Sequence, residues 1–127
     1  MRTLIQIGGV LWVICFIFHI LFWRLFDWKR DLASVMPVNK SIIQVLNLCL
    51  MLCFLIFAYI SLVHTDELLI SQLGKSLIGG MAAFGIFRFA IHFFYFDLRL
   101  FRSKLVLFGA LLIGIVYAIP LFGLEKL

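Results

Sequence analysis

The stretch IIQVLNLCLMLCFLIFAYISLV, residues Ile42–Val63, has 22 residues and contains no Asp, Glu, Lys or Arg. About 20 apolar residues in a helix cross the hydrocarbon core of a bilayer, so this stretch predicts a membrane-spanning helix. Three more apolar stretches are long enough to do the same. The four predicted spans are Leu4–Trp23, Ile42–Val63, Leu77–Phe96 and Leu105–Leu124. The predicted fold is an all-α integral membrane four-helix bundle, with residues 1–127 forming a single transmembrane domain.

Composition supports a membrane protein. The 127 residues are 65% hydrophobic and 13% charged, whereas roughly a quarter of the residues in a soluble domain are charged. The mean hydropathy is +1.20. The net charge of +5 resides mainly in short loops between the spans, where basic residues act as topology signals, so no nucleic-acid partner is predicted.

Basic residues are distributed unequally between the two sides of the predicted bundle. The first and third loops carry Arg24, Lys29, Arg30, Lys40, Arg99, Arg102 and Lys104, and the opposite side carries Arg2, Lys75 and Lys126. Because cytoplasmic loops are enriched in Lys and Arg, we expect loops 1 and 3 to be cytoplasmic and both termini to be outside. The predicted location is the bacterial cytoplasmic (inner) membrane.

Turn-forming and polar residues predict where two helices begin. Pro37 is expected to break the chain before the second span, with Asn39 or Ser41 as the N-cap of that span. After the second span, Thr65 is expected to cap a short helix on the membrane surface, and Gly74 is expected to end it.

The segment FRFAIHFFYF, residues Phe87–Phe96, places two ionisable side chains within the third span. Arg88 and His92 are about one helical turn apart and share a face. With a rise of about 1.5 Å per residue, Arg88 is roughly 12 Å and His92 roughly 6 Å from the predicted cytoplasmic end. Three polar residues of the first two spans lie within roughly 3 to 8 Å of that side: His19, Gln44 and Asn47.

No carboxylate lies in any predicted span, so Arg88 has no counter-ion there. Since a lipid-facing arginine near mid-bilayer is costly, the polar faces of three spans are expected to meet. The predicted ligand- or anion-binding site is Arg88, His92, His19, Asn47 and Gln44. Its ligand would be a small anion, a carboxylate or a lipid phosphate. Alternatively, Arg88 joins helices through polar contacts or reaches toward the interface, where Asp27, Asp31 and Asp97 lie.

Small residues at helical spacing predict close helix packing in the second half of the chain. The residues concerned are Gly79, Gly80, Ala83, Ala110, Gly114 and Ala118. Such lines of small residues let helices approach closely in lipid. They predict packing of the third span against the fourth, with a homo-oligomer contact as the alternative.

Three functions fit these features. The first is a non-enzymatic protein whose polar pocket binds, senses or passes a small anionic ligand or a lipid headgroup. The second is an accessory or assembly subunit of a larger membrane complex. The third is a b-type cytochrome with His19 and His92 as axial ligands of haem b, against which the crowding of aromatic residues beside both histidines weighs. No serine is expected near a histidine in a catalytic arrangement, so neither catalytic nor metal-ligating residues are predicted.

Two segments carry a resemblance to known proteins. They are FHILFWRLFDW, residues Phe18–Trp28, and NKSIIQVLNLCL, residues Asn39–Leu50. In these segments the chain resembles small four-helix bacterial membrane proteins, mostly of no assigned activity. The resemblance covers roughly the first half of the chain and implies a fold but no chemistry.

Overall fold

A computed structural model describes residues 1–125, and every regular element within that range is helical. The helices are α1 (Arg2–Ile20), α2 (Phe22–Leu25), α3 (Trp28–Asp31), α4 (Pro37–Val63), α5 (Thr65–Ile70), α6 (Gln72–Tyr95) and α7 (Phe101–Glu125). A short 3-10 helix, Leu32–Ser34, follows α3. The predicted all-α class is therefore confirmed.

Four of these helices, α1, α4, α6 and α7, are long and apolar enough to cross a membrane. They correspond to the four predicted spans, and by length and composition the chain is a multi-pass membrane protein. Large apolar side chains cover the outside of the bundle: Phe94 is 82% exposed and Phe87 65% exposed. A lipid environment accommodates such a surface, whereas water does not.

The bundle consists of two closely packed helix pairs. The most extensive contacts are those of α6 with α7 and of α1 with α4, and α1 also packs along α7. The short helix α5 contacts α1, α4 and α6 at one end. We call the half of the bundle that contains Gly8, Ser61 and Tyr117 the α5 half, and the half that contains His19 and Arg88 the Arg88 half.

The contact between α6 and α7 depends on Gly85. A Cβ atom at Gly85 would lie 2.5 Å from the backbone nitrogen of Gly114 and 2.9 Å from the carbonyl oxygen of Ala110. Only a residue without a side chain permits this backbone approach. Gly85 is not among the packing residues predicted from the sequence.

The predicted packing residues occupy different environments. Ala110 and Gly114 lie at the α6–α7 contact, and Ala118 is half-buried. A Cβ atom at Gly79 would be 3.8 Å from a methyl carbon of Leu121. Gly80 and Ala83 are exposed, and no neighbouring atom lies within 4 Å of a Cβ placed at Gly80.

Helix α4 begins at Pro37, earlier than the predicted start at Ile42. Met36 occupies the N-cap without a side-chain hydrogen bond, so the expected capping by Asn39 or Ser41 is wrong. Proline suits the first helical position because its φ is already helical and its missing N–H would have no partner there.

Helix α5 also differs from the prediction at both ends. His64 is its N-cap, while Thr65 donates a 2.6 Å hydrogen bond to the carbonyl of Ser61. The helix ends at Ile70, and the hydroxyl of Ser71 then caps α6 by accepting from the N–H of Gly74 at 2.8 Å. Gly74 therefore lies inside α6, where a side chain would collide with the backbone of Leu68.

Candidate functional site

Arg88 and His92 lie together, as their spacing predicts, and a third residue completes the group. An Arg88 guanidinium nitrogen is 3.2 Å from Nδ1 of His92, and Nε2 of His92 is 2.7 Å from the hydroxyl oxygen of Ser103 on α7. His92 is fully buried and Ser103 is 7% exposed. We call Arg88, His92 and Ser103 the Arg88 group.

The proton positions in this group follow from the chemistry of arginine. A guanidinium only donates, so Nδ1 of His92 must accept. The imidazole is then neutral, with its proton on Nε2, and it donates to the oxygen of Ser103. This tautomer links α6 to α7 and keeps Arg88 beside an uncharged ring.

Ser103 is not among the site residues predicted from the sequence, although its hydroxyl is in direct contact with His92. The sequence predicts no serine near a histidine in a catalytic arrangement, so the direction of this hydrogen bond matters. A histidine base would have to accept the hydroxyl proton at Nε2. Because Arg88 donates to Nδ1, the proton of the ring is on Nε2, which donates to Ser103. In an activated nucleophile the serine hydroxyl would donate to the histidine instead. Ser103 was missed because it belongs to a predicted loop, whereas α7 begins at Phe101.

The side chain of Arg88 extends toward the C-terminal end of α6. Its guanidinium carbon is 5.1 Å from the ring centroid of Phe96, a cation–π distance, and Phe96 itself stacks on His92 at 4.6 Å. Arg88 itself is partly exposed. This is the orientation of a long cationic side chain that reaches from the hydrocarbon toward the interface.

Arg88 forms no ion pair with any side chain that the structure describes. Asp97, the nearest acidic residue along the chain, accepts instead from the backbone N–H of Arg99 at 2.9 Å and from its Nε at 3.2 Å. These two hydrogen bonds from Arg99 hold the pKa of the Asp97 carboxyl below its ordinary value. A guanidinium has five N–H donors, and the described residues engage it at Nδ1 of His92 alone.

His19 and Asn47 form a separate link between α1 and α4. The amide nitrogen of Asn47 donates to the carbonyl of His19 at 3.1 Å. Nδ1 of His19 lies 2.8 Å from the carbonyl of Cys15 and donates to it, because a carbonyl oxygen can only accept. The ring of His19 stacks on Phe22 at 4.3 Å. Asn47 therefore stabilises the last turn of α1, where helical hydrogen-bond partners are lacking.

Gln44 belongs to a third environment, at the junction of α2 and α4. Its carbonyl oxygen accepts from Nε1 of Trp23 at 3.0 Å, and its amide nitrogen donates to the carbonyl of Lys40 at 3.3 Å. Within the described chain, no hydrogen bond joins His19, Asn47 or Gln44 to the Arg88 group. The five predicted site residues thus occupy one half of the bundle but form three separate contacts.

The two histidines proposed as haem ligands are both engaged by protein groups. His92 has a partner at each ring nitrogen, and His19 has one at Nδ1. Haem ligation by His92 would require the loss of Ser103 or Arg88 as a partner. Within residues 1–125, no cluster of three His, Cys, Asp or Glu side chains is arranged to hold a metal ion.

Sequence reasoning missed a buried polar group in the α5 half. The hydroxyls of Ser61 and Tyr117 are 2.6 Å apart and both residues are fully buried. The ring of Tyr117 lies against Gly8, where a Cβ atom would be only 2.5 Å away. Trp12 packs beside them, with centroid distances of 6.2 Å to Tyr117 and 5.5 Å to Phe54. The usable signal was Gly8 and Trp12 on one face of α1.

No family model matches the sequence, and the searches found neither a matching curated protein nor a matching solved structure. The resemblance to small four-helix bacterial membrane proteins therefore stays a prediction.

Proposed function

We propose that the chain is a multi-pass protein of the bacterial inner membrane with both termini outside. The support is the excess of Lys and Arg in the first and third loops. Ser34, which is exposed between α3 and α4, should be reached by membrane-impermeant thiol reagents from the cytoplasmic side after Ser34→Cys in a cysteine-free background. Labelling of this cysteine only from the outside would show that the topology is the opposite of the one proposed.

We further propose a non-enzymatic function, in which the Arg88 group binds a small anionic ligand or a lipid headgroup at the cytoplasmic interface. One observation carries this proposal: Arg88 is a partly buried cation whose described partners are a neutral imidazole and an aromatic face, with no carboxylate. Carboxylate and phosphate oxygens accept well from such a guanidinium. A ligand oxygen would supply the missing negative charge.

The other predicted site residues have a supporting role in this proposal. His92 holds Arg88 in place and is itself fixed by Ser103 on the neighbouring helix. The hydrogen bond between Asn47 and His19 joins α4 to α1, and the one between Gln44 and Trp23 joins α4 to α2. In this proposal they hold the neighbouring helices together and do not touch the anion.

The test compares Arg88→Gln with Arg102→Gln. Both changes remove one positive charge, but Arg102 is exposed at the start of α7 and lies outside the Arg88 group. Purified protein is heated with carboxylates, inorganic phosphate or anionic lipid, and the shift in Tm is measured. We expect an anion to raise the Tm of the wild type and of Arg102→Gln but not that of Arg88→Gln.

Two results would contradict the anion site. One is a folded Arg88→Gln protein that keeps every ligand response of the wild type. The other is an absence of any response in the wild type, combined with a large loss of stability in Arg88→Gln. That combination would assign Arg88 to helix packing.

A second candidate function is that of an accessory subunit of a larger membrane complex or of a homo-oligomer. It is favoured by a short exposed line of small residues along α6, formed by Ser76, Gly80 and Ala83. Small residues in this pattern admit a second helix closely. Gly80→Leu should abolish any such assembly in native mass spectrometry, while Leu73→Ala, at an exposed apolar position on α6, should leave it intact.

A further inference from the structure

An open cleft of about 670 Å³ lies between the α2–α3 segment and the start of α4, apart from the Arg88 group. Its volume is within the range of roughly 300–1,000 Å³ that is usual for small-molecule sites. The residues that line it are Trp23, Arg24, Asp27, Trp28, Lys29, Lys40 and Gln44. None of them belongs to α6 or α7, so the cleft can be tested independently of Arg88.

The charge of the cleft favours an anion. Arg24, Lys29 and Lys40 face one carboxylate, Asp27, which leaves a net charge of +2. None of these cations forms a salt bridge with a side chain that the structure describes. Lys40 also lies near the first turn of the long helix α4, whose N-cap makes no side-chain hydrogen bond. The positive end of the helix dipole therefore adds to the potential there.

Two indole rings form an ordered wall of the cleft. Trp23 and Trp28 pack edge to face with their ring centroids 5.1 Å apart. Trp23 is fixed by its hydrogen bond to Gln44, and Gln44 in turn by the carbonyl of Lys40. Tryptophan is enriched at the depth of lipid headgroups, because its ring is apolar and its N–H is polar. The wall is thus suited to the boundary between headgroup and acyl chains.

An ordered turn at Asp27 positions Trp28 beside Trp23. Asp27 has φ 48° and ψ 52°, the left-handed conformation, which aspartate adopts more readily than most non-glycine residues. Its carbonyl accepts from the N–H groups of Arg30 and Asp31, at 3.1 and 2.9 Å, so the turn is ordered. This turn separates α2 from α3, and Trp28, the next residue, packs beside Trp23.

We propose that this cleft binds the phosphate headgroup of an anionic phospholipid. A headgroup with two phosphates would match the net charge of the cleft best. The cationic side chains would pair with phosphate oxygens, and the indoles would lie along the glycerol and the first methylenes. A lipid is the source of the phosphate because the cleft combines this charge with an interfacial indole wall at the end of a membrane-spanning helix.

The experiment measures lipid retention by native mass spectrometry of the purified full chain. The probes are a lipid with two phosphates, phosphatidylglycerol, zwitterionic phosphatidylcholine and inorganic phosphate. Each basic residue near an anionic lipid surface contributes about fivefold to affinity. We therefore expect Lys29→Gln/Lys40→Gln to weaken retention of the two-phosphate lipid by about 25-fold. Phosphatidylcholine should bind weakly in every case.

The matched control is Arg102→Gln/Lys104→Gln, which removes two exposed charges from the first turn of α7. It should change retention less than twofold. Asp27→Asn should strengthen retention, because it removes the repelling carboxylate while asparagine tolerates the left-handed conformation. Arg88→Gln should leave the lipid bound, so failure of the Arg88 proposal would not affect this result.

Several outcomes would overturn the proposal. Unchanged retention in Lys29→Gln/Lys40→Gln is one, and an equal loss in Arg102→Gln/Lys104→Gln is another, since that would reflect net charge alone. Loss of the lipid in Arg88→Gln but not in the lysine variant would place the headgroup at the Arg88 group instead. Binding of inorganic phosphate without the lipid would contradict the lipid as its source.

Discussion

The α5 half and the Arg88 half of the bundle differ in how their polar groups are connected. In the α5 half, Tyr117 on α7 bonds to Ser61 on α4 and packs on Gly8 of α1, so one residue joins three long helices. In the Arg88 half, the Arg88 group connects α6 to α7, and a separate contact from Asn47 connects α4 to α1.

This difference indicates different tasks for the two halves. A fully buried group shared by three helices fixes their mutual positions and is closed to the surroundings of the bundle. In the Arg88 half, the Arg88 group holds α6 to α7 and the contact of Asn47 with His19 holds α4 to α1. These two contacts are not linked, and they leave Arg88 partly exposed at the surface of the bundle. We infer that stability resides mainly in the α5 half and ligand binding in the Arg88 half.

The largest effect is expected from Trp12, which lies at the centre of the aromatic core. Its ring is fully buried against Phe54 and Phe57 of α4, Phe84 of α6 and Tyr117 of α7. Trp12→Ala should cost about 3 kcal/mol or more, because its cavity adjoins all three other long helices. Trp23→Ala, in the Arg88 half, should cost about 1 kcal/mol. The free energy of unfolding in mixed micelles measures both effects. Equal losses of stability would contradict the inference that stability resides mainly in the α5 half.

A smaller effect is expected from two glycines, one in each half. Gly8→Ala introduces a Cβ atom 2.5 Å from the ring of Tyr117. A Cβ atom placed at Gly109 would have no neighbouring atom within 4 Å. Overpacking should make Gly8→Ala less stable by about 1–3 kcal/mol. Gly109→Ala should be neutral or more stable by up to about 1 kcal/mol, because alanine is the better helix former. The same unfolding assay applies, and the idea fails if Gly109→Ala is the more damaging change.

Double-mutant cycles sharpen the comparison further. Ser61→Ala and Tyr117→Phe remove the two partners of one buried hydrogen bond, so their free energies should couple by about 0.5–3 kcal/mol. Asn47→Leu and Arg88→Gln alter groups that share no hydrogen bond, and their effects should add within about 0.5 kcal/mol. Strong coupling in the second cycle would instead support the single shared pocket that the sequence predicts.

The smallest effect is expected at Asp97, in the exposed turn between α6 and α7. Hydrogen bonds from Arg99 lower the pKa of this carboxyl from its ordinary value of 3.8. Because the folded state favours the ionised form, its contribution to stability is present above pH 3.8 and is lost as the pH falls through the lowered value. Asp97→Asn should make stability only slightly less dependent on pH in this range. The control in the α5 half is Asp66→Asn, which removes the carboxylate that pairs with Arg2. A larger acid sensitivity in Asp97→Asn than in the wild type would contradict the assignment.

The spans and one part of the site could be predicted from residue order. Twenty apolar residues suffice to cross a bilayer whatever surrounds them, and Arg88 and His92 share a face because about one helical turn separates them. Small residues also indicated a close contact with α7, where Ala110 and Gly114 lie. These are local properties, each contained in about 20 residues or fewer.

The remaining features depend on how each helix is rotated and which helices it meets. In a soluble bundle the polar face marks the outside, but here large apolar side chains cover the outside as well as the core. Hydrophobic periodicity therefore does not reveal the inward face. Local pattern thus determined four helices and the Arg88–His92 pair, while packing determined the rest. Packing alone brought Ser103 to His92 and Gly85 to Gly114, and it assigned Gln44 to a separate cleft, because each of these contacts joins two different helices.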